Sequence, residues 1–287
     1  AEGSAGNGKP LADLIWGGQW DHAERWISRC ADEAQAKGCN RVLISSEWML
    51  GALANGDGLV RFCKCCERVG VPVPHLLLLL RNPVDQLISH YKHRAKSGTS
   101  EFIGTWAARN YVLPQRLASI RTQLDSARVE LTVRAYRSEK GALARMFFEE
   151  WLGLPVPEST DDGRVNTSLT LSELVLLRHL NANHPGLVPF LYDRLLEIPI
   201  DRKGDGEKMS EHARRVAAHA VSQDADEWAH WNALLPVDER FTLPEKGPEP
   251  GPEPDALELS AEQLAAVMRL LSDALGTRMR LQVFWRW

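Results

Sequence analysis

Five consecutive leucines, Leu76 to Leu80, followed at once by Arg81, Asn82 and Pro83, constrain this chain more than any other stretch. A run of five is too short for a stable helix or a membrane span, so it reads as a strand buried on both faces, the central strand of a parallel sheet. Pro83 suits the first turn of a helix, where its missing N–H is not needed, and Asp85 complements the positive helix end. The helix is expected from Asp85 to about Ser97. In open α/β sheets ligands sit beyond the carboxyl ends of the strands, which puts Arg81 at the mouth of a crevice beside a helix N-terminus, a geometry suited to an anion. Ser89, Lys92, His93, Arg94 and Lys96 add a neutral donor and a basic surface, and a phosphate fits that set. On residue chemistry alone, a buried strand, a crossover helix and a solvated basic face explain the segment equally well.

The spacing elsewhere predicts more of the same architecture. Trp20, Ala23, Trp26, Ile27, Cys30 and Ala34 recur at helical intervals, with Gly38 as the stop. Arg41–Ser46 reads as a second buried strand ending at Glu47, and Val129–Val133 as a third, closed by Tyr136. Helices are expected over 57–70, over 101–124 with a break at Pro114, and over 140–152. From Asn166 the chain turns helical, with segments at 171–183, 186–197, 207–221 and 224–234. The fold class is therefore α/β, a parallel sheet flanked by helices with a mostly helical C-terminal half. Residues 1–243 form the main domain, and the Pro/Gly/Glu tract 244–255 is an extended linker. In 256–287 Ser260 and Gln263 make a capping box, Leu264, Val267, Met268, Leu271 and Leu275 line one stripe, and the tail is apolar. That helix can dock on the domain, on a second subunit or on a neighbouring module.

Composition excludes several classes. A net charge of −4 gives no general attraction to nucleic acid or to anionic membranes. No stretch approaches the ~18 apolar residues of a spanning helix, and the N-terminus lacks a signal pattern. Five cysteines, three of them crowded at Cys63, Cys65 and Cys66, point to reduced thiols in a cytoplasm rather than a disulfide framework, and C-x-C-C is a poor metal pattern. The glycine-rich GSAGNGKP, although it contains Lys9, follows no strand and reads as a flexible terminus. Ten tryptophans offer surface for stacking sugars or bases, although most tryptophans serve packing.

Arg81-x-Pro83, Ser89 and Gly98 match R-x-P-x5-S-x8-G at each fixed position. This run resembles the 3′-phosphate-binding motif of the sulfotransferases that use 3′-phosphoadenosine 5′-phosphosulfate (PAPS), whose fold is of the P-loop type. The resemblance, over residues 40 to 170, implies that Arg81 and Ser89 bind the 3′-phosphate. Ile44-Ser45-Ser46-Glu47 resembles the strand-end acid of carbohydrate sulfotransferases, which implies that Glu47 is the base for the acceptor hydroxyl. A helix-capping acid is the plain alternative. Tyr136 resembles the tyrosine near the adenine, although Arg137-Ser138-Glu139 departs from the family's E-D-L. Asn166-Thr167-Ser168-Leu169 is similar to a bacterial N-x-S-L segment. Arg202, Lys203 and Gly204 resemble the R-K-G grip on the 3′-phosphate, with a charged turn as the alternative and Asp205-Gly206 as a departure from the family's pattern.

The implied activity is sulfuryl transfer from PAPS to a hydroxyl, on a carbohydrate acceptor, with PAP as product and no metal. The family's 5′-phosphosulfate loop has no match here: the chain starts after it, the loop has diverged into GNGKP, or donor binding has been lost. The alternative is a non-catalytic scaffold or binding module on the same fold. A P-loop kinase would need a glycine-rich loop with lysine and a magnesium-binding Ser or Thr.

Overall fold

Helices begin where the sequence supplies a stop to extended chain and an apolar face to bury, and they dominate the protein. The computed structural model describes residues 7–71, 74–137, 141–157, 169–198, 207–251 and 259–284. In chain order the elements are α1 (Lys9–Trp16), α2 (Trp20–Ala36), α3 (Met49–Ala54), α4 (Gly58–Arg68), β1 (His75–Leu80), α5 (Pro83–Lys96), α6 (Ile103–Asn110), α7 (Leu113–Ala127) and β2 (Glu130–Ala135). Then come α8 (Ala142–Arg145), which runs on as a wider π turn over Met146–Trp151, α9 (Leu171–Asn183), α10 (Val188–Glu197), α11 (Glu207–Ser222), α12 (Ala225–Ala233) and α13 (Ala261–Phe284). No helix among the described residues is long and apolar enough to cross a membrane.

The chain divides into two units, the first made of 1–80, 112–135 and 226–241, the second of 81–111, 136–225 and 242–287. In the first, β1 and β2 pair in parallel from His75↔Glu130 to Leu80↔Ala135, and α1 to α4 pack on one another and on α7. One buried side chain organises the helix junction. Gln123 Oε1 accepts from Leu59 N at 2.8 Å, while its Nε2 donates to Leu53 O at 3.3 Å, so α7 caps the start of α4 and the end of α3 together. Gly58 is required there, because a Cβ would lie 2.7 Å from Ala52 O. Trp228 and Trp231 of α12 are fully buried, and Trp231 Nε1 donates to Glu227 at 2.7 Å.

In the second unit α5 is the hub, packed against α6, α9, α10 and α11 through buried Leu87, Ile88, Tyr91 and Ala95. Two capping boxes join α13 to α9. Thr170 and Glu173 cap α9 reciprocally, Ser260 and Gln263 do the same for α13, and Gln263 Nε2 donates to the fully buried Glu173 at 2.8 Å. The expected capping box at Ser260 is thus present, and the start of α13 docks on its own chain. Further along, Leu264, Met268 and Leu271 remain exposed.

Three expectations are corrected. The sheet has two strands among the described residues, not three or more: Arg41–Ser46 is irregular, with Val42 and Leu43 exposed. Its backbone is engaged elsewhere, since Asn7 Nδ2 donates to Leu43 O at 2.8 Å, Ser45 N donates to Asn7 Oδ1 at 2.8 Å, and Gly8 N donates to Ser45 O at 2.9 Å. With no third strand beside it among the described residues, β1 is half-buried rather than covered on both faces, and Leu79 is exposed. The same contacts order the expected flexible terminus from Asn7 onward, and α1 starts at Lys9 with Pro10 in its first turn. The break expected at Pro114 within 101–124 is present but falls at Tyr111 and Val112, between α6 and α7, with Pro114 in the first turn of the second.

Candidate functional site

The carboxyl end of the strand pair carries the residues that chemistry favours. Arg81 follows β1 and Tyr136 follows β2, so the two stand side by side immediately beyond the last rung, on strands spaced by about 4.8 Å. Both side chains are exposed. Arg81 pairs with no carboxylate among the described residues, which leaves its guanidinium fork available to a planar or tetrahedral anion.

Beyond Arg81 the helix starts two residues sooner than at Asp85. Asn82 is the cap: its Oδ1 accepts from Val84 N at 3.0 Å and Asp85 N at 3.4 Å, and Pro83 occupies the first helical position. The amides that an anion would seek at this helix end are therefore already bonded to Asn82. Ser89 lies six residues on, ~9 Å up the axis. Its hydroxyl is exposed and makes no bond within the described chain.

The basic surface is smaller than its residue types imply. Lys92 Nζ donates to Leu169 O at 3.2 Å, and Lys96 Nζ sits 4.2 Å from the centre of the Tyr192 ring, so both serve packing. His93 and Arg94 remain exposed. One further cation comes in from far along the chain: Arg214 of α11 meets Asp85, one turn before Ser89 on the same helix face, with Nη1 to Oδ1 at 3.1 Å. Nothing in the local sequence announces it, because 129 residues separate the partners.

Glu47 lies in the turn before α3, with its carboxylate exposed. Ser46 Oγ accepts from Trp48 N at 3.2 Å within this turn, and no side chain, Glu47 included, caps α3. Lys9 Nζ is 5.9 Å from the centre of the Trp48 ring and 2.7 Å from Asp13 Oδ2. The lysine set aside as part of a flexible terminus is thus placed beside the residue that follows Glu47. Arg202, Lys203 and Gly204, and Asn166 to Ser168, lie outside the described residues.

The cysteines hold no chemistry for such a site. Burial pushes the Cys63 thiol up to about 11 and the Cys66 thiol up to about 12, so both stay protonated and unreactive near neutrality. No cluster of metal-ligating side chains occurs among the described residues. A groove of about 660 Å³ between α10 and α13, bordered by Arg194, Ala265 and Arg269, contains none of the candidate residues.

Compared with known proteins, the chain matches no family model, no curated protein and no solved structure.

Proposed function

We propose that this protein transfers a sulfuryl group from PAPS to a hydroxyl acceptor, a carbohydrate, on an α/β fold of the sulfotransferase kind. The observation that carries the reading is the order strand, Arg81, Pro83 at the first helical position, and exposed Ser89 two turns into the helix. That is the local structure which the motif R-x-P-x5-S-x8-G needs. Arg81 and Ser89 hold the 3′-phosphate by charge-assisted hydrogen bonds, Tyr136 offers a ring beside Arg81 for the adenine, and Arg214 adds a cation near Ser89. Arg202, Lys203 and Gly204 keep the role implied by resemblance.

In the transfer the acceptor oxygen attacks sulfur, the bond from sulfur to the bridging phosphate oxygen breaks, and PAP leaves. The hydroxyl proton passes to the Glu47 carboxylate. A positioned base of this kind contributes about 10²- to 10⁴-fold, and the remainder comes from alignment and charge stabilisation.

The second reading is a binding module without transferase activity. Asn82 favours it, because it occupies amides at the start of α5 that an enzyme could turn to the donor. Incubation with ³⁵S-labelled PAPS and a panel of oligosaccharides separates the two. Label transferred by the wild type and not by Glu47→Gln supports the enzyme; no transfer to any acceptor, with nucleotide still bound, supports the module.

A further inference from the structure

Eight of the tryptophans fall among the described residues, and the two that are exposed, Trp16 at 53% and Trp48 at 52%, converge on the same short helix. Trp48 is the residue before α3, one turn ahead of Gly51 and on the same helical face. Trp16, the last residue of α1, lies over Gly51: a Cβ there would come within 3.0 Å of Trp16 Cζ3 and 3.3 Å of Arg116 Nη1. Glycine at 51 therefore keeps open the seat of the Trp16 ring. Each ring has one cation over one of its faces, Arg116 at 5.7 Å from the Trp16 centre and Lys9 at 5.9 Å from the Trp48 centre, which leaves the other face to a ligand.

Two large rings left in water about one helical turn apart make a platform for a ligand with flat apolar faces. The charges around it narrow the choice. Lys9 is paired with Asp13, and Arg116 at one end is matched by Glu47 beside Trp48 at the other, so the border is electrically balanced. A polyanion such as single-stranded nucleic acid or a heavily sulfated glycan needs an excess of positive charge that this surface lacks. A neutral pyranose does not: its C–H faces suit the rings, and its hydroxyls can donate to the Glu47 carboxylate and accept from the Arg116 guanidinium.

We infer that Trp16 and Trp48, with Arg116 and Glu47, form a binding surface for neutral pyranose oligosaccharides. Its place as the acceptor's seat in sulfuryl transfer rests on the reading of Glu47 as base; the binding itself does not.

Calorimetric titration of the full chain, without nucleotide, tests the inference with cellohexaose, maltohexaose and chitohexaose, beside a heparin hexasaccharide and a twelve-residue oligothymidylate. At least one neutral hexasaccharide binds more tightly than either polyanion. Its affinity falls at least tenfold in Trp48→Ala and in Trp16→Ala. The ring seated on Gly51 is that of Trp16 and not of Trp48, so Trp48→Ala carries the test if Trp16→Ala does not fold. Binding of none of the three neutral sugars, tighter binding of a polyanion, or affinity untouched by Trp48→Ala would overturn the inference. Titration with PAP on the same sample keeps the two readings apart: sugar bound without PAP removes the donor reading and leaves this one, and PAP bound without sugar does the reverse.

Discussion

Arg81 and Tyr136 are neighbours across the ends of two parallel strands, each the first residue beyond the rung that pairs Leu80 with Ala135. Their proximity follows from strand register and not from the turn that either occupies. If Arg81 grips a phosphate while Tyr136 stacks a base, Arg81→Ala removes a charged hydrogen bond of about 1.5–3 kcal/mol, and Tyr136→Ala removes stacking of about 1–3 kcal/mol. Calorimetry with PAP is expected to show Arg81→Ala at least tenfold weaker, down to the affinity for AMP, Tyr136→Ala about fivefold weaker or more, and the double variant weaker than either.

Arg214 and Asp85 supply a second, less expected test. Asp85 opposes an anion at Ser89, both by its own charge and by holding Arg214. Asp85→Asn is expected to tighten PAP binding severalfold and to steepen its salt dependence, and Arg214→Ala to weaken it. Both constants follow from titrations at two ionic strengths. Unchanged affinity in Asp85→Asn would place the 3′-phosphate away from this helix face.

The end of β2 is held by a buried carboxylate. Glu239, almost wholly buried, takes Arg134 Nε and Nη2 at 2.9 and 2.6 Å on one oxygen and the Ala135 N–H at 2.8 Å on the other. Removing one partner of a buried pair costs about 3–5 kcal/mol, so Glu239→Ala is expected to lower the urea midpoint substantially. Replacement of both Glu239 and Arg134 by apolar residues is expected to recover part of the loss. A Glu239→Ala midpoint equal to wild type would mean that the pair is not buried in solution.

How much of this was legible from the chain varies with the range of the interaction. The strand before Arg81, the suitability of Pro83 for the first turn of α5, the capping box of Ser260 and Gln263 and a parallel strand beginning near Val129 follow from residue type over a few positions. What failed depends on distant partners. Arg41–Ser46 has the composition of a strand, yet Asn7 and Gly8 occupy its backbone groups, and a strand is made by its neighbours as much as by its own residues. Arg214 and Arg116 reach their places from helices that local pattern cannot position. The glycine-rich setting of Lys9 reads as a flexible terminus, and only the packing of α1 on α3 puts the lysine beside Trp48.

The thiols provide a pH test. Cys63 and Cys66 ionise in the fold only near 11 and 12, against 9.0 for a free thiol, because burial opposes the thiolate. Between about pH 9 and 12 the unfolded chain therefore holds fewer protons than the folded one, and stability falls as pH rises through that window. Buried Tyr111, also pushed up by burial, acts in the same direction. Urea midpoints at pH 8, 9 and 10 are expected to decline above 9, less steeply in Cys66→Ala. Mass spectrometry after brief iodoacetamide treatment at pH 8 is expected to show exposed Cys39 alkylated well before Cys63 or Cys66. Rapid labelling of Cys66 would show that this helix face opens in the native state.

The proposal that Arg81 and Ser89 form a 3′-phosphate site is tested most directly by calorimetric titration of the intact chain with PAP, beside AMP as the nucleotide that lacks the 3′-phosphate. The account predicts binding of PAP, at least tenfold weaker binding of AMP, and loss of that difference in Arg81→Ala. Equal affinity for the two nucleotides, or no binding of PAP at millimolar concentration, would contradict it.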